Sequence, residues 1–157
     1  MTAKALDADA NIVSIGGWGV SKGSNAKNGK IPDVYRYTSY KTGAKDWDFK
    51  SWQPDFVVIM LGANDEGADP AVLGKAVSDF LKEVRADNPK AKIIWVYGYL
   101  FTDFSEVIQK AISEMNDGNV FYLEVSPDMK GGWNHPSYKA QCGFAEAITE
   151  KIRSLSE

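Results

Sequence analysis

Cysteine and histidine are almost absent from this chain of 157 residues, which has one of each, Cys142 and His135. A single cysteine excludes an internal disulfide and a cysteine metal cluster, and it leaves the redox compartment open. The longest apolar run, residues 56–61, is far shorter than the stretch of about 20 residues that spans a membrane. The residues after Met1 lack the apolar core of a signal peptide, so we expect none, and the localisation stays undetermined.

An excess of charge of either sign is also lacking, because 18 Lys and Arg residues face 21 Asp and Glu residues. The net charge of -3 gives no electrostatic footprint for nucleic acid. We therefore expect neither a nucleic-acid nor a membrane partner. With one histidine and scattered carboxylates, we expect no metal site and no cofactor either. The length fits one domain, residues 1–157, around a single core.

Apolar stretches typical of buried strands alternate with stretches of helical periodicity. The run at residues 55–61 is almost wholly apolar, as in a strand that is buried on both faces of a parallel sheet. Strands that alternate with helices predict right-handed crossovers and helices on both faces. We therefore predict a three-layer α/β/α, flavodoxin-like fold. The predicted strands are residues 11–15, 55–61, 91–97 and 119–125, and the predicted helices are one that opens at Asp69-Pro70, residues 103–115 and residues 137–155.

Three loops that follow predicted strands carry residues suited to acyl transfer. They are Gly16-Gly17-Trp18-Gly19, Gly62-Ala63-Asn64-Asp65 and the segment after Asp128 that ends in His135. Ligands of open α/β sheets bind beyond the carboxyl ends of the strands. Glycine N–H groups and an asparagine amide can bind an oxyanion, and a histidine can move a proton near neutral pH. Taken singly, each loop is also compatible with a simple turn, and His135 with a surface or capping residue.

A family resemblance connects these loops. The stretch from Trp47 to Asp65 (WDFKSWQPDFVVIMLGAND) resembles the Gly-x-Asn-Asp block of the SGNH, or GDSL-type, hydrolases, and it is most similar to the deacetylases of carbohydrate esterase family 2. Gly17-Trp18-Gly19-Val20, followed by residues 31–35, is similar to the second block of that group. His135-Pro136 is similar to its final block. The resemblance covers most of the chain from about Asn11 onward.

The resemblance implies an ester hydrolase that removes acetyl or other small acyl groups from carbohydrates, in a family whose members are often secreted. It implies that the Gly17 N–H and the Asn64 side-chain amide bind the oxyanion. His135 would be general base and then general acid. Gly62 would shape the turn that presents Asn64. The aromatic residues that would line the acyl or sugar subsite are Trp18 and Trp133, although Trp133 is also compatible with simple packing.

The sequence departs from the family pattern at the nucleophile. Family members begin with a strand ending in Gly-Asp-Ser, whose serine attacks the ester, and this chain contains no Gly-Asp-Ser. Ser21 and Ser24 remain as alternative nucleophiles. A second departure precedes His135, where the usual acid partner is replaced by Gly132 and Trp133. Some members of the group orient the histidine through a backbone carbonyl instead.

The missing block also has a structural consequence, since the resemblance implies a sheet without the family's first strand and helix. We predict that the strand at residues 11–15 moves over to pair with residues 56–61, or that a strand from a partner chain in a homo-oligomer completes the sheet.

Three functions stay open. The chain is an SGNH esterase whose activity is impaired without the serine block, a non-catalytic relative that binds a sugar or another small ligand, or a flavodoxin-like domain with only architectural likeness.

Overall fold

The computed structural model of the chain describes residues 1–126 and 130–157, and the backbone alone of Asn134. Its sheet has three parallel strands in the order β1-β2-β3. The chain passes through a helix between β1 and β2 and again between β2 and β3. The alternation predicted from the sequence is therefore confirmed. The strands are β1 (Phe56–Ile59), β2 (Lys92–Tyr97) and β3 (Val120–Glu124), and the helices are α1 (Thr2–Leu6), α2 (Pro70–Asp87), α3 (Ser105–Glu114) and α4 (Tyr138–Ser156).

The central strand β2 is buried on both faces, which fixes the layers. Ile93, Trp95 and Tyr97 pack in one apolar cluster with α2 and α3. Ile94 and Val96 pack in a second cluster with α4. All five side chains have no exposed surface. Side chains of a strand alternate between faces, so helices cover both sides of the sheet and the predicted α/β/α layering is confirmed.

Two helix starts follow from local sequence. The Asp69 side chain accepts hydrogen bonds from the backbone N–H groups of Ala71 and Val72, and Pro70 occupies the first position of α2. The Ser137 side chain accepts from the backbone N–H of Ala140 at the start of α4. Both are favoured N-cap geometries, which is why the sequence predicted these boundaries closely. No described helix has the length and apolar character that a membrane span requires.

The predicted first strand is wrong. Residues 11–15 form no strand, and the side chains of Ile12 and Val13 are 81% and 52% exposed. The segment ends in a tight turn, where the N–H of Trp18 donates to the carbonyl of Ile15. A β-rich stretch becomes a strand only where a neighbouring ladder receives it, and this one does not reach β1.

The prediction that residues 11–15 move over to complete the sheet is therefore also wrong. Among residues 1–126 and 130–157, β1 pairs only with β2, and Val58 on β1 is 38% exposed. The described residues thus form the sheet that the resemblance implied, without the family's first strand. Completion by a strand from a partner chain stays a prediction.

Candidate active site

The turn after β1 depends on Gly62. Its φ of 118° lies in the region that side chains rarely adopt, and a Cβ at this position would lie 2.7 Å from the Tyr97 ring. Glycine alone fits both demands. The chain then enters a short 3-10 turn, Ala63–Asp65, in which Ala63 and Asp65 are buried. Gly62 therefore shapes the turn that carries Asn64, and its place in a substrate site stays a prediction.

Asn64 joins this turn to the first glycine loop. Its Nδ2 donates to the backbone carbonyl of Trp18 at 3.0 Å. An amide nitrogen carries two hydrogens, so one remains for a ligand. In the same loop the Gly17 carbonyl accepts from the Ser24 N–H at 2.8 Å. The Gly17 N–H has no acceptor within the described residues. Two of the three predicted loops are thus in direct contact, and each offers an uncommitted N–H.

Asp65 organises the same loop, a role that the sequence did not reveal. Its side chain has no exposed surface. One oxygen, Oδ2, accepts from the Val20 N–H at 2.9 Å. The other, Oδ1, accepts from the N–H groups of Ser21 and Lys22 at 2.7 and 3.0 Å and from Ser21 Oγ at 2.6 Å. The sequence offered one signal for this role, the glycine at position 19. In the structure a Cβ there would lie 2.3 Å from Asp65 Oδ2.

The two alternative nucleophiles have structural partners. Ser21 Oγ donates to Asp65 Oδ1, and Ser24 Oγ accepts from Asn28 Nδ2 at 2.9 Å. Both hydroxyls therefore stabilise the loop that contains them. Within the part of the chain that the structure describes, no serine hydroxyl is hydrogen-bonded to His135.

His135 is exposed and follows the 3-10 turn Gly132–Asn134. Its Nδ1 lies 2.8 Å from the backbone carbonyl oxygen of Trp133. A carbonyl oxygen only accepts, so this contact requires the proton of a neutral ring on Nδ1 and leaves Nε2 as the basic nitrogen. Trp133 has φ 59° and ψ 37°, an uncommon conformation for a bulky residue. Within the described residues, the Nδ1 partner is thus a backbone carbonyl and not a carboxylate.

The two predicted substrate aromatics differ in exposure. Trp18 is half-buried, packs against the core and lies edge-on to Tyr40 with ring centroids 6.3 Å apart. Gly29 leaves room for its ring, since a Cβ there would lie 2.8 Å from it. The side chain of Trp133 is 96% exposed, so it is not a packing residue in this chain. Of these two rings Trp133 is the more exposed, and its contact with a substrate stays a prediction.

The third predicted loop is not linked to the other two by these contacts. Across residues 1–126 and 130–157, no hydrogen bond or ion pair joins His135 to Gly17 or Asn64. Asp128, from which the third loop was predicted to start, lies outside the described residues. The convergence of all three loops, and the site roles that depend on it, stay predictions. Among the described side chains, no group of three His, Cys, Asp or Glu residues is placed to hold a metal ion.

Comparison with known proteins identifies the family. The sequence pattern of the family described as GDSL-like Lipase/Acylhydrolase matches residues 1–148. The chain belongs to this family. It is similar to an acetylxylan esterase / glucomannan deacetylase of Cellvibrio japonicus, with 27% identity over 100% of this chain and 47% of the relative. It is also similar to the cellulase/esterase CelE of Acetivibrio thermocellus, with 31% identity over 98% of this chain and 21% of the relative. The chain therefore spans less than half the length of either relative.

Solved structures of similar proteins confirm the fold. A family two carbohydrate esterase from Cellvibrio japonicus matches with a TM-score of 0.89 and 26% identity, over 98% of this chain and 49% of that one. An acetyl xylan esterase from Butyrivibrio proteoclasticus matches with a TM-score of 0.86 and 29% identity, over 98% and 53%. A family two carbohydrate esterase from Clostridium thermocellum in complex with cellohexaose matches with a TM-score of 0.88 and 28% identity, over 98% and 52%. The predicted SGNH fold and its closeness to carbohydrate esterase family 2 are confirmed.

Proposed function

We propose that this chain carries the oxyanion-binding groups and the general base of a carbohydrate ester hydrolase that removes acetyl groups. The observation that carries the proposal is the contact between His135 Nδ1 and the Trp133 carbonyl. It holds the imidazole in the tautomer that a base requires, without a carboxylate. Membership of the GDSL-like family and likeness to carbohydrate acetyl esterases support the same reaction class.

The proposed chemistry begins at the histidine. His135 Nε2 accepts the proton of the attacking hydroxyl as its oxygen bonds to the ester carbonyl carbon. The carbonyl oxygen becomes an oxyanion, which accepts from the Gly17 N–H and from the second hydrogen of Asn64 Nδ2. When the tetrahedral intermediate collapses, the bond to the sugar oxygen breaks. His135 then returns its proton to that oxygen, and the sugar hydroxyl leaves.

The attacking hydroxyl is not assigned to a described residue, since Ser21 and Ser24 stabilise the loop. The nucleophile is therefore a water molecule or a serine brought by another segment. The two differ in a measurable way. A serine forms a covalent acyl intermediate, which a water molecule then hydrolyses to release acetate, whereas direct attack by water forms no such intermediate. A fluorophosphonate probe followed by mass spectrometry labels a serine nucleophile and leaves a water-dependent enzyme unmodified.

The proposed substrates are acetylated polysaccharides. The relative from Cellvibrio japonicus is named for xylan and glucomannan, and the structure from Clostridium thermocellum contains cellohexaose. In this chain the exposed ring of Trp133 stands two residues before the base, where a sugar face can stack on it. Trp18, which is half-buried and follows Gly17 in the sequence, would contact the acyl group.

Release of acetate from acetylated xylan tests the proposal. We expect wild-type protein to release acetate faster than buffer, and His135→Ala to lose the excess rate. Ser51→Ala is a suitable control, because this exposed serine bonds only to the Asp48 carbonyl. If wild type, His135→Ala and buffer release acetate at one rate, the chain is not an esterase.

A second candidate function is sugar binding without turnover. It is favoured by the lack of a hydroxyl partner for His135 among the described residues, while Trp133 is almost fully exposed. Calorimetric titration with cellohexaose distinguishes the two. Binding without acetate release supports the second function, and acetate release with loss in His135→Ala supports the first.

A further inference from the structure

We infer that Asp65 is the positioning residue of the oxyanion hole, acting through the loop that presents Gly17 and through the neighbouring Asn64. The inference deepens the proposed function and rests on it for its catalytic part. Its structural part, that the Asp65 carboxylate determines where these two donors lie, can be tested without any turnover.

The Asp65 carboxyl group is buried and hydrogen-bonded through both oxygens. Asp65 has no exposed surface, and burial of a charge is costly unless the group is fully hydrogen-bonded. Both of its oxygens accept hydrogen bonds from backbone N–H groups, so neither oxygen acts as a donor to the loop. The N–H groups of Val20, Ser21 and Lys22 are consecutive and converge on it, which is a typical backbone cradle for an anion. The loop cannot move away without leaving the charge unpaired.

This cradle is connected to the predicted donors. Asp65 holds residues 20–22, while Asn64, its neighbour in the same 3-10 turn, holds the carbonyl of Trp18. Between the two anchors, Gly19 lies so close to the carboxylate that any side chain there would collide with it. Further along, the Ser24 N–H fixes the Gly17 carbonyl. The Gly17 peptide is thus held from both sides, with its N–H uncommitted.

The loop requires two acceptor oxygens at position 65. An asparagine at position 65 has nearly the same shape but only one oxygen. If that oxygen keeps the donors of Oδ1, its NH₂ group faces the N–H of Val20, and two donors oppose each other. Asp65→Asn therefore disturbs the loop at Val20, three residues from Gly17, with little change in side-chain volume.

The experiment compares wild type, Asp65→Asn, Ser21→Ala and the control Ser51→Ala by amide hydrogen exchange and by the NMR resonances of the Gly17 N–H and the Asn64 side chain. In Asp65→Asn we expect the Val20 amide to exchange at least about tenfold faster, as follows from losing a hydrogen bond to a charged group. The Gly17 and Asn64 resonances should shift. Ser21→Ala, which removes one of the four bonds, should shift them less and in the same direction, and it keeps the test decisive if Asp65→Asn does not fold.

Kinetics on acetylated xylan supply the readout that a purely structural role would not give. Because oxyanion donors act in the transition state, Asp65→Asn should lower kcat by about tenfold or more and leave KM within about twofold. Unmoved Gly17 and Asn64 resonances in folded Asp65→Asn, or in Ser21→Ala if Asp65→Asn is unfolded, would overturn the inference. A rise in KM with unchanged kcat would also overturn it. Shifted resonances in a protein with no wild-type turnover would uphold the positioning role and reject the proposed esterase function.

Discussion

His135 Nδ1 lies 2.8 Å from the backbone carbonyl oxygen of Trp133, a residue two positions earlier. The contact depends on a left-handed backbone at Trp133, where φ is 59°. A carbonyl oxygen only accepts, so it orients the neutral ring through the proton on Nδ1 and leaves Nε2 without one. The chain therefore has an oriented histidine although no acid stands at the usual positions.

Asn64→Ala tests the second predicted oxyanion donor. We expect it to reduce transition-state stabilisation by about 3 kcal/mol, as for other oxyanion-hole side chains. The change also removes the donor to the Trp18 carbonyl. The measurement is kcat for acetate release, with Asn25→Ala as control, since the Asn25 side chain accepts a hydrogen bond from the Lys27 N–H alone in an exposed turn. An unchanged kcat in Asn64→Ala would limit Asn64 to the turn.

Gly62→Ala tests the turn that presents Asn64. A methyl group there meets the Tyr97 ring at 2.7 Å and also requires φ 118°. We expect the free energy of unfolding to fall by about 3 kcal/mol. Gly67 has φ 71° with nothing near its virtual Cβ, so Gly67→Ala carries backbone strain alone and should cost about 1 kcal/mol. Urea denaturation measures both, and equal losses would mean that contact with Tyr97 is unimportant.

Trp133→Gly separates ligand binding from packing. The ring is 96% exposed, and glycine adopts the positive φ freely while adding entropy to the unfolded chain. We expect the free energy of unfolding to change by less than about 1 kcal/mol. Affinity for cellohexaose should fall at least about fivefold, because a stacked aromatic face contributes roughly 1 kcal/mol or more. Tyr138→Ala, which removes another exposed ring, is the control. A large loss in the free energy of unfolding of Trp133→Gly would show that Trp133 is a packing residue.

The raised pKa of Tyr35 predicts that the free energy of unfolding falls in alkali. Burial raises its pKa to about 12, although Asn88 Nδ2 donates to its oxygen and opposes the shift. Below pH 10 the phenol is neutral in both states and stability is fully present. Between pH 10 and 12 the unfolded state loses the proton while the folded state keeps it, so stability falls.

The alkaline loss can be assigned with Tyr35→Phe, which has no phenol to ionise. Asn88 Nδ2 still donates to the Val84 carbonyl in that variant. We expect a shallower decline in the free energy of unfolding between pH 10 and 12 than in wild type. Parallel declines would show that Tyr35 does not contribute and that other tyrosines whose pKa burial raises, among them Tyr97, Tyr99 and Tyr122, account for the effect.

Much of the fold could be predicted because its signals are local. The apolar run before Gly62 marks β1, and the caps at Asp69 and Ser137 mark the starts of α2 and α4. Residues 11–15 misled the prediction because their composition favours a strand, whereas pairing depends on a neighbour elsewhere in the chain. Helix α1 was missed because five residues carry too little periodicity to detect.

The parts of the candidate site with a local sequence signal were likewise predicted, and the parts that depend on distant contacts were missed. Asn64 and Gly17 were predicted through a motif, and the structure brings the loops that carry them into contact. The role of Asp65 was not found, because its acceptors bind residues more than 40 positions earlier in the chain. The carbonyl partner of His135 depends on a positive φ at a tryptophan, which the amino-acid type does not predict.

The measurement that tests the central claim most directly is a double-mutant cycle on acetate release from acetylated xylan, with wild type, His135→Gln, Asn64→Ala and the double variant. If the base and the amide act on one transition state, each single variant should lower kcat/KM, and the double variant should lose more than either single variant. An unchanged kcat/KM in either single variant, or four equal rates, would contradict a single site built from His135 and Asn64.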